Sequence, residues 1–146
     1  MSAKDVRLYF LVQTAAAALK KNADELLYER TGLSTAQTAA LAIIHGQGPL
    51  SMRELADALL QRESAMTTMV RRLEKKRLVE RERSETDKRE WQISLTQTGK
   101  DGLMESREAF AEINTALDGA FSGAEMRSLA NNLMTLRALF SSNTSE

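Results

Sequence analysis

Between Glu63 and Lys76 the sequence ESAMTTMVRRLEKK sets three small hydroxyls, Ser64, Thr67 and Thr68, ahead of the cations Arg71, Arg72 and Lys75. Steps of three and four residues put all six on one face of a helix. Short side chains let a helix backbone approach base edges, while cations further along reach phosphates. The chemistry of this face is therefore contact with nucleic acid rather than bond breaking. A solvated helix face collects Thr, Arg and Lys as well, so the helix alone leaves both readings open. Further on, Ser84-Glu85-Thr86-Asp87-Lys88-Arg89 is polar throughout. A projecting guanidinium there can enter a minor groove, where negative potential concentrates. Asp87 can hold a neighbouring arginine in one rotamer through a charge-assisted hydrogen bond. A purely structural ion pair would use the same residues.

Other chemistries find little support. The chain has no cysteine, which removes disulfides, thiolate nucleophiles, cysteine-held zinc and thiol-based redox sensing. Its single histidine, His45, stands beside a glycine near a helix end, where an imidazole is more often structural than catalytic. One histidine makes a multi-histidine metal sensor improbable. No glycine-rich phosphate loop or spaced carboxylate pair is present, so no enzyme, cofactor or metal site is expected. The seven methionines read as core filler on helix faces.

Net charge is zero, which by itself argues against a generic nucleic-acid binder. The distribution is uneven, however. Residues 51–89 carry 11 basic and 8 acidic groups, and residues 90–146 carry 4 and 8. The positive excess coincides with the hydroxyl-bearing helix and the polar loop.

The elements that must position these residues are legible from pattern. Residues 5–30 carry Tyr9, Val12, Ala16, Leu19, Ala23 and Leu26 at alternating steps of three and four, the stripe of a long helix. Leu8, Leu11, Ala15 and Leu27 widen the stripe. Such a helix spans on the order of 37 Å, more than one small core covers, so part of it is expected to pack on another subunit. Gly32 breaks it. Ser34 with Gln37 forms a capping box for a second helix, closed by His45 and Gly46. A turn over residues 46–49 follows, and Leu50 starts a very short strand.

Ser51 with Glu54 caps a third helix, with Met52, Leu55, Ala56 and Leu59 inward. After a turn at Gln61 and Arg62, the fourth helix points Met66, Met69, Val70 and Leu73 inward. Leu78 and Val79 then lead into Glu80-Arg81-Glu82-Arg83, and Trp91, Ile93 and Leu95 alternate on a returning strand. A hairpin is not stable alone, so it must lean on the helices through Val79, Ile93 and Leu95, leaving residues 84–89 in solvent. Thr96 caps a fifth helix carrying Leu103, Phe110, Ile113 and Leu117. A break over residues 119–123 precedes a sixth, boxed by Ser122 and Glu125 and striped by Met126, Leu129, Leu133, Leu136 and Phe140. The tail from Ser141 on is polar and expected to fray. No apolar run approaches the length of a membrane span, and no signal-peptide pattern opens the chain. The fold class expected is mainly α with a small β-hairpin wing: a winged helix-turn-helix lobe plus N- and C-terminal dimerisation helices.

That order of elements, with certain residues in it, resembles the MarR (multiple antibiotic resistance regulator) family of bacterial transcription factors. The resemblance rests on Leu55-Ala56, on Arg72-Leu73-Glu74-Lys75, and on Leu78-Val79-Glu80-Arg81. Asp87-Lys88-Arg89 and Leu95-Thr96 with Gly99 complete it, with the spacing kept from Ala56 to Gly99. It implies a single MarR-type domain over residues 1–146. Residues 1–30 and 100–140 would be its dimerisation helices, and residues 34–99 its DNA-binding lobe. It further implies a cytoplasmic homodimer that binds double-stranded DNA at a palindromic operator, as a repressor, with recognition helices in successive major grooves. By position, Ser64, Thr67 and Thr68 inherit base-edge or phosphate contacts, and Arg89 inherits the wing contact with Asp87 as its support. Ser51, Arg53, Arg62, Arg71, Arg72, Lys75 and Lys88 complete the DNA-facing set. In such proteins a small, often aromatic or phenolic anion commonly binds between the dimer helices and the lobe. Tyr9, Phe10, Arg30 and His45 are available to line such a cleft but are equally at home as packing or surface.

The sequence departs from the family pattern at instructive places. Leu60 and Arg77 stand where glycines are usual, and must either avoid or tolerate a conformation that glycine adopts more cheaply. An arginine common at the position of Thr68 is missing, and Glu63 adds an acid close to where phosphates would lie. These departures, with the neutral net charge, support an alternative: a winged-helix module that binds protein and not DNA.

Overall fold

The computed structural model describes residues 3–141. By its internal contacts the chain falls into two compact units, residues 1–110 and residues 111–146. The expected polar tail lies outside the described residues, apart from Ser141 at its start.

The first unit opens with α1 (Ala3–Thr31). Only its C-terminal part is covered: Ala23 and Leu27 are buried, whereas Leu8, Tyr9, Phe10 and Leu11 are more than half exposed. Tyr9 and Phe10 meet edge to face, with ring centroids 5.7 Å apart. The helix ends at Gly32, whose φ of 69° lets its amide donate back to the Tyr28 carbonyl at 3.0 Å. Asp24 ties α1 to the next helix. Its Oδ1 accepts from both the amide and the hydroxyl of Thr35, each at 2.7 Å, and Lys20 pairs with its other oxygen. The Lys20 and Thr35 hydrogen bonds hold the Asp24 carboxyl at a pKa of about 2, below its ordinary 3.8.

The second helix, α2 (Thr35–Gln47), starts at the expected Ser34–Gln37 capping box. Its end differs from expectation. Gly46 is helical, and Gly48 takes the left-handed φ of 80° while its amide donates to the Ile44 carbonyl. A helical glycine pays a modest entropy penalty, whereas the reversal of direction needs positive φ, so the second glycine ends the helix. Strand β1 (Leu50–Ser51) follows, then α3 (Met52–Ala58) and α4 (Glu63–Lys75). Strands β2 (Val79–Arg83) and β3 (Trp91–Leu95) form the hairpin. All pairing is antiparallel in the order β1-β3-β2, with Leu50 opposite Ile93 and Val79 opposite Leu95. The two-residue β1 thus turns the hairpin into a three-stranded sheet and makes β3 its central strand. That is why Ile93 is buried with Leu41, Ile44, Leu55, Met66, Val70 and Leu73 in one core.

The two positions where a glycine is usual but missing adopt the glycine conformation. Leu60 has φ 53° and Arg77 φ 57°. After α3, the amides of Leu60 and Gln61 donate to the carbonyls of Asp57 and Ala56. After α4, those of Arg77 and Leu78 donate to Glu74 and Leu73. These are paired Schellman bonds, and they require a left-handed residue at each turn. At the second turn the backbone tolerates the strain because Leu73 before it and Leu78 after it are both buried in the core.

The expected Thr96 cap opens α5 (Gln97–Ala120): its hydroxyl accepts from the Gly99 amide at 3.0 Å and donates to the Arg77 carbonyl at 2.6 Å. A Cβ at Gly99 would stand 2.0 Å from the Leu78 carbonyl oxygen, so helix and strand can approach this closely only at glycine.

The second unit comprises the remainder of α5 and then α6 (Gly123–Ser141). Gly119 remains helical, and the break narrows to Phe121 and Ser122. Ser122 and Glu125 form the expected box, at 2.8 Å and 3.3 Å. No residue of α6 is buried; Leu129, Leu133, Met134, Leu139 and Phe140 are all exposed. No helix among the described residues is long and apolar enough to cross a membrane.

Candidate nucleic-acid interface

The α4 face is built by opposition. At about 100° per residue, Met66, Val70 and Leu73 point one way and are buried. Ser64, Thr68, Arg71, Arg72 and Lys75 point the other way and are exposed, with Thr67 half-covered at the edge. Arg62 is the N-cap residue and offers no side-chain bond to the helix. The hydroxyls of Thr67 and Thr68 donate back to the carbonyls of Glu63 and Ser64, at 3.0 Å and 3.4 Å. With their protons so used, these oxygens face outward as acceptors.

Ser51 differs from its neighbours in the expected set. It is buried, and its hydroxyl accepts from the Glu54 amide at 3.2 Å while the Glu54 carboxylate takes the Ser51 amide at 2.8 Å. It sets where α3 begins, at the border of the cleft that Arg53 and Thr67 also line. Arg53, one turn into α3, is exposed.

The wing is tied to α4 by Arg81, whose Nε and Nη2 donate to the two Glu74 oxygens at 2.7 Å and 2.9 Å. A bidentate pair fixes both partners in plane, and so sets the angle between hairpin and helix. Sequence reasoning quoted both residues without assigning them this task. Their spacing of seven carries no signal of it, because the contact crosses from helix to strand.

At the tip, residues 85–89 are exposed as expected, and Glu90 with them, but Ser84 is buried. Ser84 is a hub. Its amide donates to the Glu90 carbonyl at 2.9 Å, its hydroxyl accepts from the Asp87 amide at 3.3 Å, and Thr86 Oγ1 lies 3.1 Å away. Asp87 also departs from expectation. Its carboxylate accepts from the backbone amide of Arg89 at 3.0 Å, not from a guanidinium. A short acidic side chain reaches the amide two residues on more readily than a neighbouring guanidinium, so it shapes the turn. The Arg83 Nη1 donates to the carbonyls of Lys88, at 3.0 Å, and Arg89, at 3.4 Å. Its guanidinium carbon lies 4.1 Å from the Trp91 ring centroid.

These elements converge on one open cleft of about 320 Å³, lined by Arg53 of α3, Glu63 and Thr67 of α4, Arg81 of β2, and Arg89 and Glu90 of the wing. Lys88 is exposed beside it. A separate, mostly apolar cleft of about 460 Å³ is lined by Lys20, Thr35, Ala39, Leu59, Met66 and Met69. Of the four residues available for an effector cleft, none lines it; His45 borders a third space, with Pro49 and Lys100. Among the described residues no group of three or more His, Asp or Glu is placed to hold a metal ion.

Comparison with known proteins agrees with this geometry. A sequence model described as the MarR family matches residues 31–90, which run from the end of α1 through the wing tip. The organic hydroperoxide resistance transcriptional regulator of Bacillus subtilis is 28% identical over 131 residues, covering 89% of this chain and 86% of that protein. The HTH-type transcriptional regulator SarZ of Staphylococcus epidermidis is 33% identical over 95 residues, 65% of this chain and 64% of its own. In fold, the chain resembles a mutant MarR from E. coli complexed with operator DNA, with a TM-score of 0.84 at 22% identity, covering 91% of this chain and 95% of that one. It equally resembles Sco3205 of Streptomyces coelicolor in complex with DNA, with a TM-score of 0.84 at 23% identity over 95% and 93%. With the helix order, the three-stranded sheet and the Leu78-to-Gly99 packing all in place, residues 31–90 match the MarR family and the chain shares the winged helix-turn-helix fold of these structures.

Proposed function

We propose that this protein is a sequence-specific, DNA-binding transcriptional regulator that works as a cytoplasmic homodimer. One observation carries the reading: Arg53, Thr67 and Arg89, from three different elements, line a single cleft on the side where the α4 hydroxyls and cations are exposed. A duplex groove edge is the kind of partner that meets a helix and a projecting loop together. In this reading Arg53, Arg62, Arg71, Arg72, Lys75 and Lys88 supply salt-dependent attraction to phosphates. Ser64, Thr67 and Thr68 face bases, and Arg89, held in its turn by Asp87, enters the flanking minor groove.

Residues 34–99 form the DNA-binding lobe, and residues 1–30 and 100–140 supply the dimer helices. The uncovered apolar faces of α1 and α6 are each buried against a second copy. A two-fold dimer reads half-sites about 34 Å apart, so the operator is an imperfect palindrome, and occupancy represses. A small aromatic or phenolic effector relieves repression by favouring a dimer whose lobes no longer match that spacing. The apolar cleft beside Met66 and Met69 supports its placement between α1, α2 and the lobe.

Selection of duplexes from a random pool tests DNA binding, symmetry and spacing together. On the selected site, Arg89→Ala is expected to weaken binding about tenfold or more with an unchanged melting temperature. Equal affinity removes the wing from the mechanism. Glu63 and Glu90 in the same cleft favour a second reading, a protein-binding module that has lost DNA. Anisotropy titrations against random duplex at low and high salt separate the two, since failure to bind even at low salt selects the second.

A further inference from the structure

In sequence, Arg83 is one more cation of a charged hairpin, with no task assigned to it. In the fold Arg81, Arg83 and Arg89 have different fates. Arg81 is paired with Glu74. Arg89 lines the open cleft. Arg83 is spent on its own hairpin. It stands at the end of β2 directly opposite Trp91, with its guanidinium over the indole at 4.1 Å and one nitrogen shared between the carbonyls of Lys88 and Arg89. The two carbonyls it holds belong to the two residues whose side chains the wing offers to a partner.

We propose that Arg83 and Trp91 form a clamp that fixes the wing tip in its DNA-facing shape before any duplex is met. Arg83 is then a positioning residue and not a phosphate contact. The proposal rests on the DNA-binding reading above. The physical case is one of ordering. The tip is a seven-residue excursion, residues 84–90, in which Ser84 bonds to Asp87 and Glu90, and Asp87 to the amides of Arg89 and Glu90. Arg83 adds a hold from outside the tip, on the carbonyls of Lys88 and Arg89. An untethered loop loses backbone freedom when it enters a groove, and a loop already held does not. Arginine suits the task where lysine does not. A flat guanidinium can stack on an indole and direct an N–H edgewise to two carbonyls at once; an ammonium is a compact point charge.

Two charge-conserving variants, Arg83→Lys and Trp91→Leu, test the clamp on the pool-selected duplex. Each is expected to weaken binding about tenfold. The slope of log affinity against log salt should stay at the wild-type value, and so should the melting temperature. Lys88→Ala, removing a phosphate contact, should instead lower the slope by about one. The double variant should bind no more weakly than either single one, because both break the same device. Wild-type affinity in Arg83→Lys overturns the proposal, as do additive losses in the double variant.

A second measurement needs no DNA. Trp91 is the sole tryptophan of the chain, so its emission reports the clamp directly. Arg83→Lys should shift that emission to the red and speed amide exchange at residues 85–90. Unchanged emission and exchange sink the clamp even if the variant binds DNA poorly. A wild-type protein that ignores every duplex while showing these changes keeps the clamp and sinks the DNA reading.

Discussion

Replacing Leu60 and Arg77 by glycine should stabilise this protein. Both residues sit at left-handed φ, 53° and 57°, where an L side chain costs roughly 1–2 kcal/mol because its Cβ crowds the following carbonyl. Neither backbone can relax away. The Arg77 amide donates to Glu74 at 2.8 Å while its carbonyl accepts from Thr96 Oγ1 at 2.6 Å, and Leu60 is held by its amide bond to Asp57. Little packing is at stake, since Leu60 is 62% exposed and Arg77 is exposed as well. Glycine returns about 0.5–1 kcal/mol of this through the greater freedom of the unfolded chain. The net gain is then about 0.5–1 kcal/mol per site, nearly additive because the sites share no partner. For a chain of this size the double variant should melt about 3–6 °C higher, measured at fixed protomer concentration so that assembly does not contribute. Leu60→Ala is the control: it keeps the strained backbone and removes the exposed side chain, and should be close to neutral. A glycine double variant that melts at or below the wild-type temperature would refute the strain argument. An alanine variant as stable as the glycine one would assign the gain to the exposed leucine instead.

Gly99→Ala should cost more than about 3 kcal/mol in a denaturant titration, because the new methyl meets the Leu78 carbonyl oxygen at 2.0 Å and only backbone can give way; a loss below about 1 kcal/mol would mean that α5 slides freely on the hairpin. Asp24, lowered from 3.8 to about 2 by its Lys20 and Thr35 bonds, contributes stability that is fully present above about pH 4 and lost as pH falls toward 2. The wild-type advantage over Asp24→Asn should follow that window, at about 1 kcal/mol after solvent screening of a partly exposed site, and an advantage independent of pH contradicts the assignment. Glu63→Gln should tighten duplex binding about threefold at low salt by removing an acid from the cleft, while costing about 0.5 kcal/mol at the α4 N-terminus; unchanged affinity places Glu63 away from phosphate.

The relation between sequence and structure divides along the range of the interactions. The capping boxes at Ser34, Ser51 and Ser122, the buried face of α4 and the inward Ile93 of β3 could all be read in advance. Each depends on residues within a turn or two of one another, where 3.6-residue and two-residue periods leave no freedom. The exposure of residues 85–89 was legible for the same reason, since they include no apolar side chain, whereas the burial of Ser84 was not.

What only the tertiary structure decided is how residues of one type were divided among different tasks. Ser84 looks like Ser64 in sequence, yet it is buried in the wing turn, while Ser64 faces out. Arg81, Arg83 and Arg89 are chemically identical, and their partners are Glu74, Trp91 and an open cleft. Those partners come from another strand or helix, so hairpin register and the packing of β2 on α4 select them, and no local pattern records either. Leu60 and Arg77 make the same point for the backbone: core residues near them, Ala56 before the first turn and Leu73 and Leu78 around the second, impose a conformation that the residues themselves disfavour.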